Sequence, residues 1–230
     1  MNWLLHQWIV AGLVSSAARF VPIPFVDDVI QDQCRRYVVA RTLEAHDRSD
    51  LKKELRAYHS SDAGCVAGCL GMLAKAPLKL ILFPIRKIVA LFTSVRGVPL
   101  EVIRTILLGR TLDRMLRDEV LGKTVSTQQV LAMRESFNIA FARMDFRVAR
   151  AAMSDALANV QDWKESAKDM ATSLSGDQSH TPSEDQLQGD KAINESAERV
   201  EEALRQPELV KLFAEFDQRF DEAYQDRSIA

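Results

Sequence analysis

The chain has 230 residues, 47% of them hydrophobic, with only 9 Gly and 7 Pro. That supplies ample core material and excludes a disordered chain, while scarce turn residues and little β-branched alternation exclude a sandwich or barrel of many short strands. The formal net charge of −2 hides a division: residues 1–150 carry 22 Lys and Arg against 14 Asp and Glu, and the remainder 8 against 18. A basic body thus precedes an acidic tail that either meets a different partner or folds back on the body.

Cys34, Cys65 and Cys69 lie in apolar surroundings and leave one thiol over in any pairing, so a reducing cytoplasmic setting is expected instead of a disulfide framework. The first 18 residues contain no Lys or Arg and place His6 and Gln7 inside the apolar run, which argues against a secretory leader. Every later apolar run is interrupted by charge before the roughly 20 residues a span requires, so no ordinary transmembrane helix is expected.

Residues 2–19 predict a first, largely buried helix, with Leu4, Leu5, Trp8, Ile9, Leu13 and Val14 at helical spacing. The prolines of Phe20-Val-Pro-Ile-Pro-Phe-Val26 end it. Asp28 is the expected cap of a second helix reaching His46, with Gln31 as its capping-box partner, and Ser49 or Asp50 starts a third that ends near Ser60. Small residues at Gly64, Gly68 and Gly71 suit close helix packing. Pro77 opens the next helix, Pro84 bends it, and Gly97 with Pro99 predicts a stop and a restart, the new helix reaching Leu121 with Gly122 as its stop.

Ser126-Thr-Gln-Gln129 is a capping-box signature. Behind it Val130, Met133, Phe137, Phe141, Met144, Val148, Ala152, Ala156, Val160, Trp163, Ala167, Met170 and Leu174 advance in steps of three or four. The pattern predicts one long amphipathic helix, or two nearly collinear ones, spanning roughly 65–70 Å and in need of a coiled-coil or other partner. Residues 176–190 read as a flexible linker. Two short helices then flank Pro207, the second carrying Leu209, Phe213, Phe216, Phe220 and Tyr224 on one stripe. Phe213, Phe216 and Phe220 are expected to dock between Phe137 and Trp163, Phe141 included, within one chain or between two.

No catalytic, cofactor or metal site emerges. Asp28 and Asp32 stand one turn apart, as a hard cation would want, but helix capping and pairing of Asp32 with Arg36 account for them. His59, Cys65 and Cys69 lack a fourth zinc ligand nearby. The four histidines are scattered, and no P-loop, Gly-x-Ser-x-Gly or dinucleotide fingerprint occurs.

The most informative stretch is Lys75 to Arg117, where nine cations face only Glu101 and Asp113. Lys79, Arg86 and Lys87 form a narrow stripe on a helix that is otherwise almost entirely apolar. Such a helix suits the centre of a core or an anionic membrane surface. Further along, Arg110, Arg114 and Arg117 share one face and could meet phosphates, with local pairing to Asp113 and Asp118 as the alternative. A pI of about 6.1 and the lack of aromatic residues among these arginines argue against nucleic acid.

Phe20-Val-Pro-Ile-Pro-Phe-Val-Asp-Asp28, the Gly-Cys box at 64–71, Pro77-Leu-Lys-Leu-Ile-Leu-Phe-Pro-Ile-Arg-Lys87 and Arg96-Gly-Val-Pro-Leu100 together resemble a family of bacterial helical proteins of unknown function, over roughly residues 1–120. The Pro-Ile-Pro-x-x-Asp start is also similar to one in a GTPase-linked, membrane-associated helical domain of unknown function, in which glycine usually stands where this chain has Phe25. Neither resemblance implies a reaction, a cofactor or a catalytic residue.

The expected fold is all-α: an irregular multi-helix bundle with a long amphipathic helix and a linker-tethered C-terminal helix. Its expected parts are a basic apolar domain over 1–122, the long helix over 123–175, the linker over 176–190 and an acidic helical segment over 191–230. The expected function is non-enzymatic: a helical interaction protein binding a protein partner or itself, peripheral at the cytoplasmic membrane surface. The alternative is a helical enzyme or small-ligand or lipid carrier with a pocket among the first six helices. A filled core favours the first and a deep apolar cavity with convergent polar groups the second.

Overall fold

Among the described residues nine α-helices follow in order: α1 (Trp3–Ala17), α2 (Val26–Ala45), α3 (Arg56–His59), α4 (Ala76–Arg117), α5 (Thr127–Ala142), α6 (Phe146–Ala158), α7 (Trp163–Leu174), α8 (Lys191–Leu204) and α9 (Pro207–Ser228). Short 3₁₀ turns lie at Ala18–Phe20, Ser49–Lys52 and Asp185–Leu187, and these residues contain no strand. The computed structural model describes residues 3–23, 26–60, 76–158, 160, 162–175 and 181–228, with the backbone alone over 76–96 and at Ser228. The Gly-Cys box and the side chains of Lys79, Arg86 and Lys87 lie outside the described residues.

Helix α1 is the axis of the bundle. Every residue from Gln7 to Ala17 is buried, as expected of a helix that is apolar around its circumference. It packs against α2, α4, α7 and α8. Its closest neighbour is α4: a Cβ at Gly12 would stand 3.1 Å from the backbone of Val102, and one at Gly109 would stand 2.5 Å from the Trp8 indole. These two glycines let the helices approach closely. Three polar side chains of α1 are satisfied by neighbouring helices. Trp8 Nε1 donates to Thr42 Oγ1 at 3.0 Å, the Tyr37 hydroxyl donates to Gln7 Oε1, and Ser15 Oγ donates to Glu101 at 2.7 Å.

Several expected boundaries are corrected. Helix α4 runs unbroken through Gly97 and Pro99, because Gly97 does not turn left-handed and burial of Val98, Val102 and Ile103, worth about 1.5–3 kcal/mol each, outweighs the roughly 3 kcal/mol of an interior proline. It stops at Arg117, before Leu121 and Gly122. Glu119 takes the left-handed conformation (φ 54°), its N–H donates to Leu116 O at 3.2 Å and Val120 N–H donates to Met115 O at 3.0 Å, a Schellman ending without glycine. Helix α2 ends the same way at Asp47, φ 54°, with Arg48 N–H on Leu43 O at 2.8 Å. It starts at Val26, so Asp27 and Asp28 occupy its first turn and Asp28 is not its cap. The expected third helix is reduced to a 3₁₀ turn and the four residues of α3.

The expected long helix over 123–175 is three helices. Its start is as expected: Ser126 and Gln129 form the full capping box. The first break comes where Asp145 accepts the backbone N–H of Arg147 at 3.0 Å, and the second where Asp162 turns left-handed with φ 65°. The apolar steps continue across both breaks because each break is itself about one turn long. The longest helix is α4, with 42 residues. The linker expectation is also revised over 181–190, where Pro182 and Leu187 are buried, the turn packs on α1 and α7, and Glu184 pairs with Arg41 at 3.4 Å. Residues 176–180 lie outside the described residues.

Candidate functional site

Arg110 and Arg114 on α4 reach across to carboxylates of α9. Arg110 donates to Asp217 Oδ2 through Nη2 at 2.7 Å and Nε at 3.2 Å. Arg114 forms a two-pronged pair with Asp221, both bonds at 2.7 Å, and stands 3.8 Å from Asp217. The hydrogen bond to Asp221 raises the Arg114 pKa against the opposing effect of burial. Each guanidinium also lies over an aromatic ring of α9: Arg110 over Phe213 and Arg114 over Phe220, both at 5.8 Å. Arg110 and Arg114, expected to meet an external anion, therefore meet the chain's own carboxylates. Arg117 pairs locally, with Asp113 at 3.4 Å and Asp118 at 3.6 Å.

The aromatic stripe of α9 is filled from within the chain. Phe216 is fully buried and meets Phe137 edge to face with ring centroids 5.5 Å apart, while Phe137 stacks on Phe141 at 6.0 Å and meets Tyr58 at 6.3 Å. Phe213 and Phe220 are buried in the same core. Trp163 is buried as well, but on α7, which packs against α1 and α8 instead of belonging to the α9 interface. The break at Asp162 is the reason: it turns the second half of the apolar stripe toward α1.

A cleft of about 230 Å³ opens between α2, α3, α4 and α5. Arg35, Arg104 and Arg134 line it together with His59 and Thr105, and Asp28 and Asn138 stand at its rim. Arg104 donates to Asn138 Oδ1 at 3.1 Å and lies 5.4 Å over the Phe141 ring. Burial lowers its pKa, Glu101 opposes this, and Arg35 and Arg134 lower it further. Arg35 meets Glu101 only at 3.9 Å, and its buried Nε has no partner. Two further orphans line the cleft: Nδ1 of His59, a residue 6% exposed, and Oγ1 of Thr105, 1% exposed. A buried polar group without a partner costs about 1–3 kcal/mol. Burial pushes the His59 imidazole down to about 4, with Arg36, Arg35 and Arg56 adding and Asp32 opposing, so it is neutral near pH 7.

The remaining sequence candidates have local explanations. Asp32 accepts from Arg36 Nη2 at 2.8 Å, the expected pairing one turn on. Cys34 is fully buried, and burial raises its thiol pKa far above the reactive range. Among the described residues no three His, Cys, Asp or Glu side chains converge as a metal cluster, and no helix is long and apolar enough to cross a membrane. Sequence reasoning missed the cleft because Arg35, His59, Arg104 and Arg134 sit on four elements; the only sequence signal was the density of arginine. Comparison with known proteins found no matching family model, no matching curated protein and no matching solved structure.

Proposed function

We propose that this chain is a non-enzymatic helical interaction protein that lies peripherally on an anionic membrane surface through the N-terminal half of α4. The observation that carries the reading is the division of α4's cations. Those of its C-terminal half, Arg110 and Arg114, are neutralised by Asp217 and Asp221, so the acidic tail serves the body itself. The C-terminal half also supplies the core with Val102, Ile103, Ile106, Leu107 and Leu112. Helix α4 is one unbroken element of 42 residues, roughly 63 Å at about 1.5 Å per residue. A compact body of this chain length has a radius of gyration of only roughly 17 Å. The Lys79, Arg86 and Lys87 half continues as helix from a buried anchor, and its sequence combines a wide apolar surface with a cationic stripe.

Among the described residues one apolar cluster runs from Leu4 to Phe220, which supports a self-contained helical body. The α9 stripe, a candidate for an external protein partner, is spent internally. Flotation with vesicles tests the reading: the protein should rise with vesicles containing anionic lipid and stay down with neutral ones. Equal flotation, or none, contradicts it.

A further inference from the structure

We infer that the cleft between α2, α3, α4 and α5 binds a phosphate-bearing ligand, its dianionic group received by Arg35, Arg104 and Arg134 together with the Thr105 hydroxyl. The inference goes beyond membrane attachment through α4 and does not rest on it.

The first ground is charge. Three guanidinium groups from three different helices line one cleft, and Arg35 and Arg134 each lower the Arg104 pKa, which places mutually repelling cations together. Glu101 offsets part of that repulsion, and an anion bound in the cleft offsets more of it. Guanidinium forks match the oxygens of phosphate, and a dianion with three acceptor oxygens suits three such groups better than a carboxylate, which one fork can satisfy.

The second ground is independent of charge. A buried helical threonine can return its hydroxyl to the preceding turn, as Thr42 does to Val38 O at 2.7 Å. Thr105 does not: it is 1% exposed and its Oγ1 has no partner. His59 Nδ1 and Arg35 Nε are left over in the same cleft wall. Orphaned groups on α2, α3 and α4 thus belong to residues of a cleft wall that three arginines also line. Among the described residues Thr111 and Ser136 are likewise buried and orphaned elsewhere, so it is the position of Thr105 beside three arginines in one cleft wall that singles it out.

Size limits the ligand. At about 230 Å³ the cleft falls below the roughly 300–1,000 Å³ usual for small-molecule sites, so it takes the phosphate group and a short organic stub. A small soluble phosphate ester and a lipid phosphate headgroup share this chemistry.

The test titrates the full chain calorimetrically with inorganic phosphate and with glycerol phosphate in chloride buffer. Saturable binding of one equivalent is expected. Arg104→Gln with Arg134→Gln should weaken it by at least about tenfold, since hydrogen bonds between charged groups are lost. Thr105→Val should weaken it by roughly two- to tenfold while leaving the melting temperature without phosphate unchanged or higher, because an unpartnered hydroxyl has been removed. Vesicles containing phosphatidic acid separate the sources. Binding to them that the Arg104/Arg134 variant loses, and that glycerol phosphate does not displace, assigns a lipid headgroup; tighter binding of glycerol phosphate than of inorganic phosphate, with vesicle binding indifferent to those arginines, assigns a soluble ester. The inference is overturned if the wild type gives no saturable heat with either phosphate, if the folded arginine variant binds as the wild type does, or if Thr105→Val lowers the melting temperature and leaves binding intact.

Discussion

Arg114 on α4 holds Asp221 on α9 in a two-pronged fork, both bonds at 2.7 Å, across 107 residues of sequence. With the neighbouring Arg110–Asp217 pair it ties the acidic end of the chain to the basic body. Asp217→Asn and Asp221→Asn together should destabilise the fold by about 1–3 kcal/mol, and the loss should shrink at high salt, where partly exposed pairs are screened. Urea denaturation at low and high salt reads both. A loss that does not change with salt would mean that packing, not charge, holds α9.

Phe216 supplies the apolar part of the same interface, being fully buried against Phe137. Phe216→Ala should destabilise by about 3–5 kcal/mol, and truncation after Gln206 should expose dye-binding apolar surface on α5. Unchanged melting and dye binding in the truncated protein would show that α9 does not dock.

Gly109 faces the Trp8 indole so closely that a methyl group there has no room. Gly109→Ala should cost about 1–3 kcal/mol despite the better helix propensity of alanine. In a Trp8→Leu background the same change should become neutral or stabilising, a reversal that a double-mutant cycle measures directly.

Much of this architecture was legible in the sequence, and what was not has identifiable causes. The Ser126–Gln129 capping box, the Asp32–Arg36 pair and the aromatic stripe of α9 follow from spacing rules that act within a few residues. The charge division pointed to an acidic tail folded on a basic body, but not to which arginines would receive it. The breaks at Asp145 and Asp162 were hidden because apolar periodicity continues through a one-turn interruption. The end of α2 was legible to within a residue, but that of α4 was missed because its left-handed position carries Glu119 where glycine is the usual signal. The three-arginine cleft is a long-range product of four elements, which no local pattern encodes.

That acidic helix end gives a prediction of its own. Glu119 at φ 54° is strained as a residue with a Cβ, so Glu119→Gly should stabilise the protein by about 1 kcal/mol, measured by urea denaturation. A destabilised variant would show that the Glu119 side chain does more than occupy the turn.

His59 makes stability depend on pH. Its folded pKa is depressed to about 4 by burial, so the unfolded chain, with a pKa near 6.5, takes up the proton first as the pH falls. The contribution of His59 is complete above pH 6.5 and is lost progressively toward pH 4, by about 3 kcal/mol over the full range. His59→Asn should flatten the stability profile between these limits relative to wild type. Parallel profiles would place the acid sensitivity elsewhere.

If α4 divides its cations between the chain's own carboxylates and a membrane, charge reversal in vesicle flotation separates the two sets. Lys79→Glu, Arg86→Glu and Lys87→Glu combined should abolish binding to anionic vesicles, since each cation at such a surface contributes about 1 kcal/mol. Arg110→Gln with Arg114→Gln, which removes cations already neutralised by Asp217 and Asp221, should lower stability but leave flotation of the folded protein intact. Flotation that survives the triple reversal, or that is lost with Arg110 and Arg114 instead, would mean that the N-terminal half of α4 does not attach the protein to membranes.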